Sequence, residues 1–364
     1  MTLRYGLIGA GMMGQEHIRN IALLDDAQVV ALADPNEGMQ EASRTLAGGA
    51  CVAFTDHRDL LTDGGVDALL IASPNHTHHK IMLDALETEL PILCEKPLGI
   101  SGPQCAEIEA KAGATGSQVW VAMEYRYMPP IQRLLEEVSS GTLGAARMLS
   151  IREHRFPFLE KDGDWNRFNA NTGGTLVEKC CHFFDLMRLA LKSDPVRVYA
   201  SGAMDVNFLD ESYDGQRPDI LDNAFVVVDF QSGARAMLDL CMFAEGSYWQ
   251  EIVSITGDRA RMDACVPGPA RFSPDGQERA SEVVISPRET KLERREEVHV
   301  DEAILRACDH HGSTFFQHQR FAKMVREGGT PEVSIADGRW AVEIGEAAEK
   351  SAKTGEAVAL VSRG

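Results

Sequence analysis

The sequence predicts an α/β protein of two domains, an N-terminal domain with a parallel sheet and a C-terminal α+β domain with an open, mainly antiparallel sheet. One observation is the length of 364 residues, which exceeds the usual size of a single hydrophobic core. The other is a change of pattern, because short apolar runs alternating with helical stretches give way to longer alternating segments. This change divides the chain into residues 1–124 and 125–364.

The first domain begins with a β-α-β unit. Residues 4–8 form a short apolar run, the following stretch to residue 24 has helical spacing, and residues 29–33 form a second strand. Further strands alternate with helices, which predicts a parallel sheet covered on both faces. The expected strands are 68–72, 90–94 and 119–122, and the helices include 79–87 and 103–112.

The second domain begins with a helix at residues 131–139, which long alternating segments follow. Its strands alternate between apolar and polar residues, as expected of antiparallel strands with one solvated face. Residues 266–288 are rich in proline, glycine and charge, which predicts loops and a peripheral hairpin. The expected strands are 145–154, 224–230, 234–241 and 251–256, and the later helices are 314–327 and 337–352.

The charge and the cysteines exclude several classes of protein. Lys and Arg number 36 against 55 Asp and Glu, and a net charge of −19 opposes binding to nucleic acid or anionic membranes. We find no cleavable leader and no run of about 18 apolar residues. Eight cysteines without paired C-x-x-C spacing are typical of reduced thiols. We therefore expect a soluble cytoplasmic protein.

A G-x-G-x-x-G motif directly follows the first strand and opens a helix. Gly9 permits the tight turn, Gly11 lets the backbone approach a pyrophosphate, and Gly14 allows close packing of the helix on the strand. Met12 and Met13 stand in the same loop, and the helix N-terminus faces the phosphate charge. The motif in this context predicts a Rossmann domain that binds a dinucleotide, against the alternative of a glycine turn without a ligand.

Asp34 ends the second strand 20 residues after Gly14. A carboxylate at this place accepts hydrogen bonds from both adenosine ribose hydroxyls and repels a 2′-phosphate. NAD is therefore favoured over NADP. Arg44 and Arg58 are the basic residues that could approach the site from elsewhere in the chain and bind a 2′-phosphate. The alternative is that Asp34 serves only as a helix N-cap.

Glu95, Lys96 and Pro97 close the apolar run 90–94. In an open α/β sheet the ligand crevice lies outside the carboxyl ends of the strands. A charged pair followed by a rigid proline is poorly suited to packing alone at this place. We therefore interpret Lys96 as a chemical residue rather than a structural one.

The loop after residue 72 lies at the same edge of the sheet. It carries imidazoles at His76, His78 and His79, but a zinc site needs three or four convergent ligands, and no carboxylate or thiol partner is evident by spacing. We predict no metal site. In the alternative interpretation His76 and His79 face solvent at the start of a helix, and His78 bonds locally.

The run 173–187 predicts a glycine turn that opens a largely apolar helix. Glu178, His182 and Asp185 are spaced i, i+4 and i+7, so they project from one face of that helix. A buried histidine flanked by carboxylates is a natural general base. A core histidine with satisfied hydrogen bonds is the alternative, but the glycine loop and Lys96 favour the catalytic interpretation.

These motifs together resemble the Gfo/Idh/MocA oxidoreductases, and the resemblance extends over nearly the whole chain to the C-terminal segment 333–351. It implies that Lys96 is the catalytic lysine, that His182 is the acid/base, and that the Lys96–Pro97 peptide is cis. Glu178 and Asp185 join the catalytic set. The resemblance also implies that Pro74, Asn75 and Glu95 line the nicotinamide and its ribose. Ser73, His78 and Lys96 are further cofactor-binding candidates.

A pocket for a small polyhydroxylated substrate is implied between the domains. Its candidate residues by location are Tyr125, Arg126, His154, Trp165, Asn166, His311 and Ser313. Trp165 is equally compatible with a core position, and Arg126 with a structural ion pair. Many polyol dehydrogenases of the family carry Asp where this chain has Glu178, which is followed by the unusual Lys179-Cys180-Cys181. This departure concerns the substrate more than the reaction.

The leading hypothesis is an NAD-dependent oxidoreductase that transfers a hydride between a secondary alcohol of a sugar or cyclitol and nicotinamide. His182 would act as acid/base with Lys96. One alternative is an NAD-dependent redox-assisted glycosidase or a glycoside 3-dehydrogenase, and another is a non-catalytic, nucleotide-dependent sensor. The resemblance implies a homodimer or homotetramer that forms through the open face of the second sheet.

Overall fold

The N-terminal strands form one parallel sheet in the computed structural model, which describes residues 2–307 and 309–361. They are β1 (Leu3–Ile8), β2 (Ala27–Ala33), β3 (Val52–Phe54), β4 (Ala68–Ile71), β5 (Ile92–Cys94) and β6 (Val119–Val121). The helices between them are α1 (Met12–Ile21), α2 (Glu37–Leu46), α3 (His57–Asp63), α4 (Asn75–Ala85) and α5 (Gly102–Thr115). The spatial order β3-β2-β1-β4-β5-β6 reverses at β1, so the loops after β1, β4 and β5 open at one edge.

The C-terminal strands form a second sheet of nine strands. They are β7 (Ala146–His154), β8 (Pro195–Ala203), β9 (Asn223–Phe230), β10 (Arg235–Cys241), β11 (Glu251–Gly257), β12 (Ala260–Val266), β13 (Ser281–Pro287), β14 (Arg294–Val298) and β15 (Val358–Ala359). The associated helices are α6 (Pro129–Ser139), α7 (Asn169–Thr172), α8 (Thr175–Glu178), α9 (Cys181–Leu191), α10 (Glu302–Ala307), α11 (Ser313–Glu327) and α12 (Ile335–Thr354). The strand order is β14-β13-β12-β11-β7-β10-β9-β8-β15.

The two sheets differ in the way that their strands are buried. All four residues of β4 are buried, as expected of a parallel strand covered by helices on both faces. Strand β9 alternates instead, with Val226 and Val228 buried and Phe225 and Val227 exposed. One face of the second sheet therefore packs on helices while the other is open, which confirms the predicted α/β class and its two kinds of sheet.

Two features of the second sheet refine the sequence-based expectations. Strand β10 pairs with β7 in parallel, so the sheet is mixed rather than purely antiparallel at its centre. Within the segment 266–288, loops lead into β13, which forms a hairpin with β14 at the edge of the sheet and also pairs with β12. The apolar run Val283 to Ile285 is buried there, and its burial outweighs the turn-forming residues that precede it.

Helices from the end of the chain return to the first domain. Phe321 on α11 is buried in the core of the parallel sheet, in contact with Tyr5 and Trp120. Helix α12 serves both cores, because Val342 belongs to the first and Ala348 to the second. A side chain at Gly345 would lie 2.6 Å from the carbonyl oxygen of Leu176, so this glycine permits close packing on the second domain.

Within the described ranges, no helix combines the length and the apolar character that crossing a membrane requires. Seven cysteines are free thiols, and Cys308 lies outside the described residues.

Candidate functional site

A single cleft lies between the carboxyl edge of the parallel sheet and the second domain. The loops after β1, β4 and β5 form its floor. The opposite wall comes from the segment after β6, the segment 155–165, the break between α8 and α9, and residues near 310. Cofactor-binding and catalytic candidates from both domains therefore face one space.

The glycine loop has the geometry of a dinucleotide cradle. Gly9 has φ +97°, and a side chain there would lie 2.5 Å from the backbone nitrogen of Ser73. A side chain at Gly14 would lie 2.1 Å from the carbonyl oxygen of Gly9, so the helix approaches the strand as closely as glycine allows. Among the described residues, apart from its chain neighbours, no atom lies within 4 Å of the Cβ position of Gly11. That open space fits the close approach of a pyrophosphate, and Met12 and Met13 also line it.

Asp34 holds the glycine loop at the adenosine end of the cleft. One of its carboxylate oxygens accepts from the backbone nitrogen of Ala10 at 2.7 Å, and the other accepts from that of Asn36 at 2.8 Å. The cap of α2 is Asn36, so Asp34 is not that helix's N-cap. Arg44 donates to the carbonyl of Cys51, Arg58 binds Asp56, and neither arginine lines the cleft.

The loop after β4 presents Ser73, Pro74 and Asn75 to the cleft. The side-chain nitrogen of Asn75 is buried and has no partner in the described part of the chain, which fits an amide that awaits a ligand. His78 is placed differently from the expectation. It is fully buried beneath the cleft, with Nδ1 2.7 Å from the carbonyl oxygen of Pro97 and Nε2 2.8 Å from that of Ser73. His78 therefore joins two cofactor loops rather than facing the ligand space.

Lys96 extends into the cleft from the loop after β5, and its peptide bond to Pro97 is cis, as predicted. Its ammonium donates to the carbonyl oxygen of Glu178 at 3.1 Å. Burial alone would lower the pKa of Lys96, but Cys181 and nearby carboxylates, that of Glu178 foremost, outweigh it and raise the pKa. The amine is therefore a cation at the edge where the two domains meet.

A buried chain of three side chains supports the neighbouring Glu95. Its carboxylate lies 2.9 Å from Nε2 of His17, and Nδ1 of His17 lies 2.8 Å from Nε2 of His318. Burial opposes a charge on His17, but the Glu95 carboxylate raises the pKa of the imidazole. The sequence gives little indication of this chain, because its members come from α1, the loop after β5 and α11. Histidine at the third position after Gly14 was the only available signal.

The helix expected over 173–187 is interrupted. Helix α8 ends at Glu178 and α9 begins at Cys181, so Glu178 and His182 do not share the face of one regular helix. Burial raises the pKa of Glu178, one of whose carboxylate oxygens has no partner in the described residues. Asp185 does not orient His182 either. It binds Arg126, whose Nε donates to it at 2.6 Å, outside the cleft.

His182 is held by an aromatic ring instead of a carboxylate. Its imidazole stacks on Tyr125 with 4.0 Å between centroids and 5° between planes. The hydroxyl of Tyr125 accepts from Lys179 at 2.6 Å, and Lys179 lies 2.9 Å from buried Glu153. Burial lowers the pKa of His182 well below its usual range, and the charges of nearby cations, including Lys96 and Lys179, lower it further. The ring is therefore neutral and able to accept a proton.

The substrate candidates separate into two groups. Tyr125 and Trp165 line the cleft. The others lie outside it, so their assignment is corrected. Arg126 is in the ion pair with Asp185, His154 binds Asp239, Asn166 donates to Leu159, His311 binds the carbonyl of Pro267, and Ser313 is buried.

His310, the residue before the candidate His311, does line the cleft. Its Nδ1 lies 3.1 Å from Glu16 and 3.4 Å from Glu124. Burial opposes the charge of His310, but Glu124 and Glu16 raise its pKa to about 9. The ligand atoms of these three residues lie within 4.8 Å of one another, a spacing compatible with a metal ion that the sequence analysis did not predict. The ion pair by itself accounts for their proximity.

Comparison with known proteins identifies the family. Residues 3–123 match the model described as "Oxidoreductase family, NAD-binding Rossmann fold", and residues 136–360 match "Oxidoreductase family, C-terminal alpha/beta domain". Myo-inositol 2-dehydrogenase of Thermotoga maritima is 27% identical over 370 residues, with 98% of each chain covered. The uncharacterized oxidoreductase YrbE of Bacillus subtilis is 30% identical over 253 residues, 68% of this chain and 69% of the relative.

A solved structure has the same architecture. The crystal structure of a probable dehydrogenase from Thermotoga maritima superposes with a TM-score of 0.77 at 26% identity, and the match covers 98% of both chains. The family match covers both domains, and the N-terminal one has the open glycine cradle that a dinucleotide requires. The chain therefore belongs to the Gfo/Idh/MocA oxidoreductase family, and it is an oxidoreductase that uses NAD.

Proposed function

We propose that the protein is an NAD-dependent dehydrogenase that oxidises a secondary alcohol of a sugar or cyclitol. The observation that carries the proposal is the cleft itself, where a neutral imidazole at His182 and a cationic amine at Lys96 face the same space as the glycine cradle. Similarity to myo-inositol 2-dehydrogenase over nearly the whole chain supports the class of substrate.

The two side chains divide the chemistry between them. His182 removes the hydroxyl proton, since its lowered pKa leaves the ring neutral over the working pH range. Lys96 donates a hydrogen bond to the same oxygen and stabilises the negative charge that develops there, which has most effect in a site with little water. Bound NAD supplies the hydride acceptor at its nicotinamide ring.

Second-domain residues orient the base. The ring of Tyr125 lies flat against His182, and Lys179 fixes the Tyr125 hydroxyl. Nδ1 of His182 is buried without a partner among the described residues, so stacking rather than a carboxylate sets the ring's orientation. This arrangement replaces the Glu178–His182–Asp185 stripe expected from the sequence.

The experiment is NADH formation at 340 nm with NAD across a panel of inositols, aldoses, sugar acids and glycosides. Wild type is compared with Lys96→Ala and with Lys80→Ala, which removes an exposed lysine. We expect turnover that Lys96→Ala lowers by about 10²–10³-fold while NAD affinity changes little. Near-normal turnover in Lys96→Ala would refute the assignment. Release of free aglycone with retained NAD would favour a redox-assisted glycosidase.

We also propose that the protein is a homodimer or homotetramer joined through the open face of the second sheet. That face exposes large apolar side chains on neighbouring strands, which monomeric proteins rarely present as a group. They are Met148, Tyr199, Phe225, Val227 and Met237. Light scattering gives the mass, and Phe225→Arg should shift it toward the monomer. A monomeric wild type would overturn the proposal.

The proposed compartment is the cytoplasm. The seven described cysteines are free thiols, as expected in a reducing environment. A disulfide in the protein purified from its native source under non-reducing conditions would contradict this assignment.

A further inference from the structure

Two cations line the cleft, of which Lys161 has no ion-pair partner among the described residues and Arg155 is weakly paired. The ammonium of Lys161 makes no hydrogen bond or ion pair with any residue in the ranges 2–307 and 309–361, although the side chain lines the cleft. Arg155 also lines it, and its Nε donates to the carbonyl of Phe156 at 3.1 Å. The nearest carboxylate to its terminal nitrogens is Glu153, at 3.5 Å.

The carboxylate of Glu153 does not neutralise Arg155 fully, because Lys179 is closer to it at 2.9 Å. Arg271, on the same wall of the cleft, shows the contrast, since it is paired with Asp309. Charges that are partly buried without a partner destabilise a folded protein unless a ligand compensates them. Arg155 and Lys161 therefore behave as binding groups rather than as structural ones.

Both cations belong to the reacting end of the cleft. Glu178 experiences the charges of Lys96, Lys161 and Arg155 together, and His182 experiences those of Lys96 and Arg155. None of these cations lies within ion-pair distance of the Glu178 carboxylate among the described residues. These cations therefore stand together near the reacting groups, where they can attract an anion even in a chain whose net charge is −19. Glu160 and Asp162 line the same cleft, but neither forms an ion pair with Lys161 among the described residues.

We propose that Arg155 and Lys161 form a subsite for a carboxylate, so that the substrate is a polyhydroxylated acid, such as a hexuronate or aldonate. The inference rests on the proposed dehydrogenase function and names its substrate class. A guanidinium binds a carboxylate through two parallel hydrogen bonds, and the ammonium adds a third donor. A single negative charge suits the site better than a phosphate dianion, because Glu178 stands beside it.

The test is calorimetric titration of the enzyme saturated with NADH, so that binding is measured without turnover. Glucuronate is compared with glucose, galacturonate with galactose, and myo-inositol and glucose 6-phosphate are included. We expect each acid to bind at least tenfold more tightly than its neutral counterpart. Arg155→Gln and Lys161→Gln should each reduce this preference by about tenfold. Arg259→Gln and Lys350→Gln, which remove exposed cations outside the cleft, should leave it intact.

Equal affinity for acids and neutral sugars would overturn the subsite, as would a preference that survives both cleft substitutions. Tighter binding of the phosphate than of the acids would overturn the assignment to a carboxylate. The separate NADH assay distinguishes the two proposals. Turnover of neutral polyols without tighter binding of acids would refute the carboxylate subsite but not the dehydrogenase function. Binding of acids that depends on Arg155, without turnover of any polyol, removes the dehydrogenase function alone.

Discussion

The cofactor end and the substrate end of the cleft are built in different ways. At the cofactor end, the binding surface is formed mainly by backbone atoms and glycines of the loops after β1 and β4, as the contacts at Gly9 and Gly14 show. At the substrate end, charged and aromatic side chains come from the segments after β6 and β7, from α8 and α9, and from the segment near residue 310. Short motifs therefore specify the first end, whereas long-range packing specifies the second.

The largest expected effect tests whether the substrate end performs the chemistry alone. His182→Gln should lower kcat by about 10²–10⁴-fold, because it removes the proton acceptor. NAD affinity should change less than about threefold, since the cofactor end does not use this side chain. Steady-state kinetics and NADH fluorescence titration measure the two quantities. His299→Gln, on the exposed surface, is the matched control.

A fall in NAD affinity together with kcat in His182→Gln would contradict the claim that the cofactor end binds NAD without this side chain.

The next effect concerns the cofactor end. Gly14→Ala places a methyl group 2.1 Å from the carbonyl oxygen of Gly9, so the unfolding free energy should fall by about 1–3 kcal/mol and NAD binding should weaken. Gly11→Ala meets no protein atom, so it should weaken NAD binding without altering stability. Thermal unfolding with and without NAD separates the two variants. Equal unfolding temperatures for both would contradict the packing role of Gly14.

A smaller effect concerns the stability of α8, the short helix that carries Glu178 at the substrate end. Glu349 accepts from the backbone nitrogen of Leu176 at 2.8 Å, and burial raises its pKa to about 7. A carboxyl group with a raised pKa destabilises the fold at pH values above that pKa and recovers stability as the pH falls toward its unfolded value. Glu349→Gln should therefore raise the unfolding free energy by about 1–2 kcal/mol at pH 8.

The gain from Glu349→Gln should shrink at pH 5, where the wild-type carboxyl is already largely protonated. Urea unfolding at the two pH values measures it. A loss of stability at pH 8 would show that the carboxylate charge is needed at this place.

The smallest effect concerns the electrostatics of the base. Burial, Lys96 and Lys179 lower the pKa of His182, so the acid limb of kcat/KM should lie below pH 6.5. Lys179→Gln removes one of these cations and should move that limb upward by about half to one pH unit. The pH profile of each enzyme measures the shift, with Lys353→Gln as an exposed control. A limb that stays in place or moves downward would contradict the role of Lys179.

Local signals were sufficient for the cofactor end. The glycine motif after a strand, the acidic residue that ends the next strand and the Glu95-Lys96-Pro97 run each depend on a few neighbouring residues, and β1, β2 and β5 bring them to one edge. The parallel sheet was predictable for the same reason, since fully apolar short strands between helices permit few arrangements.

Sequence spacing was insufficient at the substrate end. The i, i+4, i+7 pattern joined Glu178, His182 and Asp185, but the helix breaks after Glu178 and Asp185 turns to Arg126. The substrate-binding candidates were chosen only from their expected location between the domains. His311 was therefore predicted to line the cleft, whereas its neighbour His310 does so.

The sequence by itself determined the two-domain α/β fold, the cofactor loops and the presence of a lysine and a histidine suited to hydride-transfer chemistry. Only the tertiary structure decided that Tyr125 orients His182 and that His17 and His318 support Glu95. It also decided that Arg155 and Lys161 both line the cleft, where Arg155 is weakly paired and Lys161 has no ion-pair partner among the described residues. The physical reason is the distance in sequence over which each feature is determined. A backbone motif depends on a few neighbouring residues, whereas the burial and the electrostatic environment of a side chain depend on every element that packs around it.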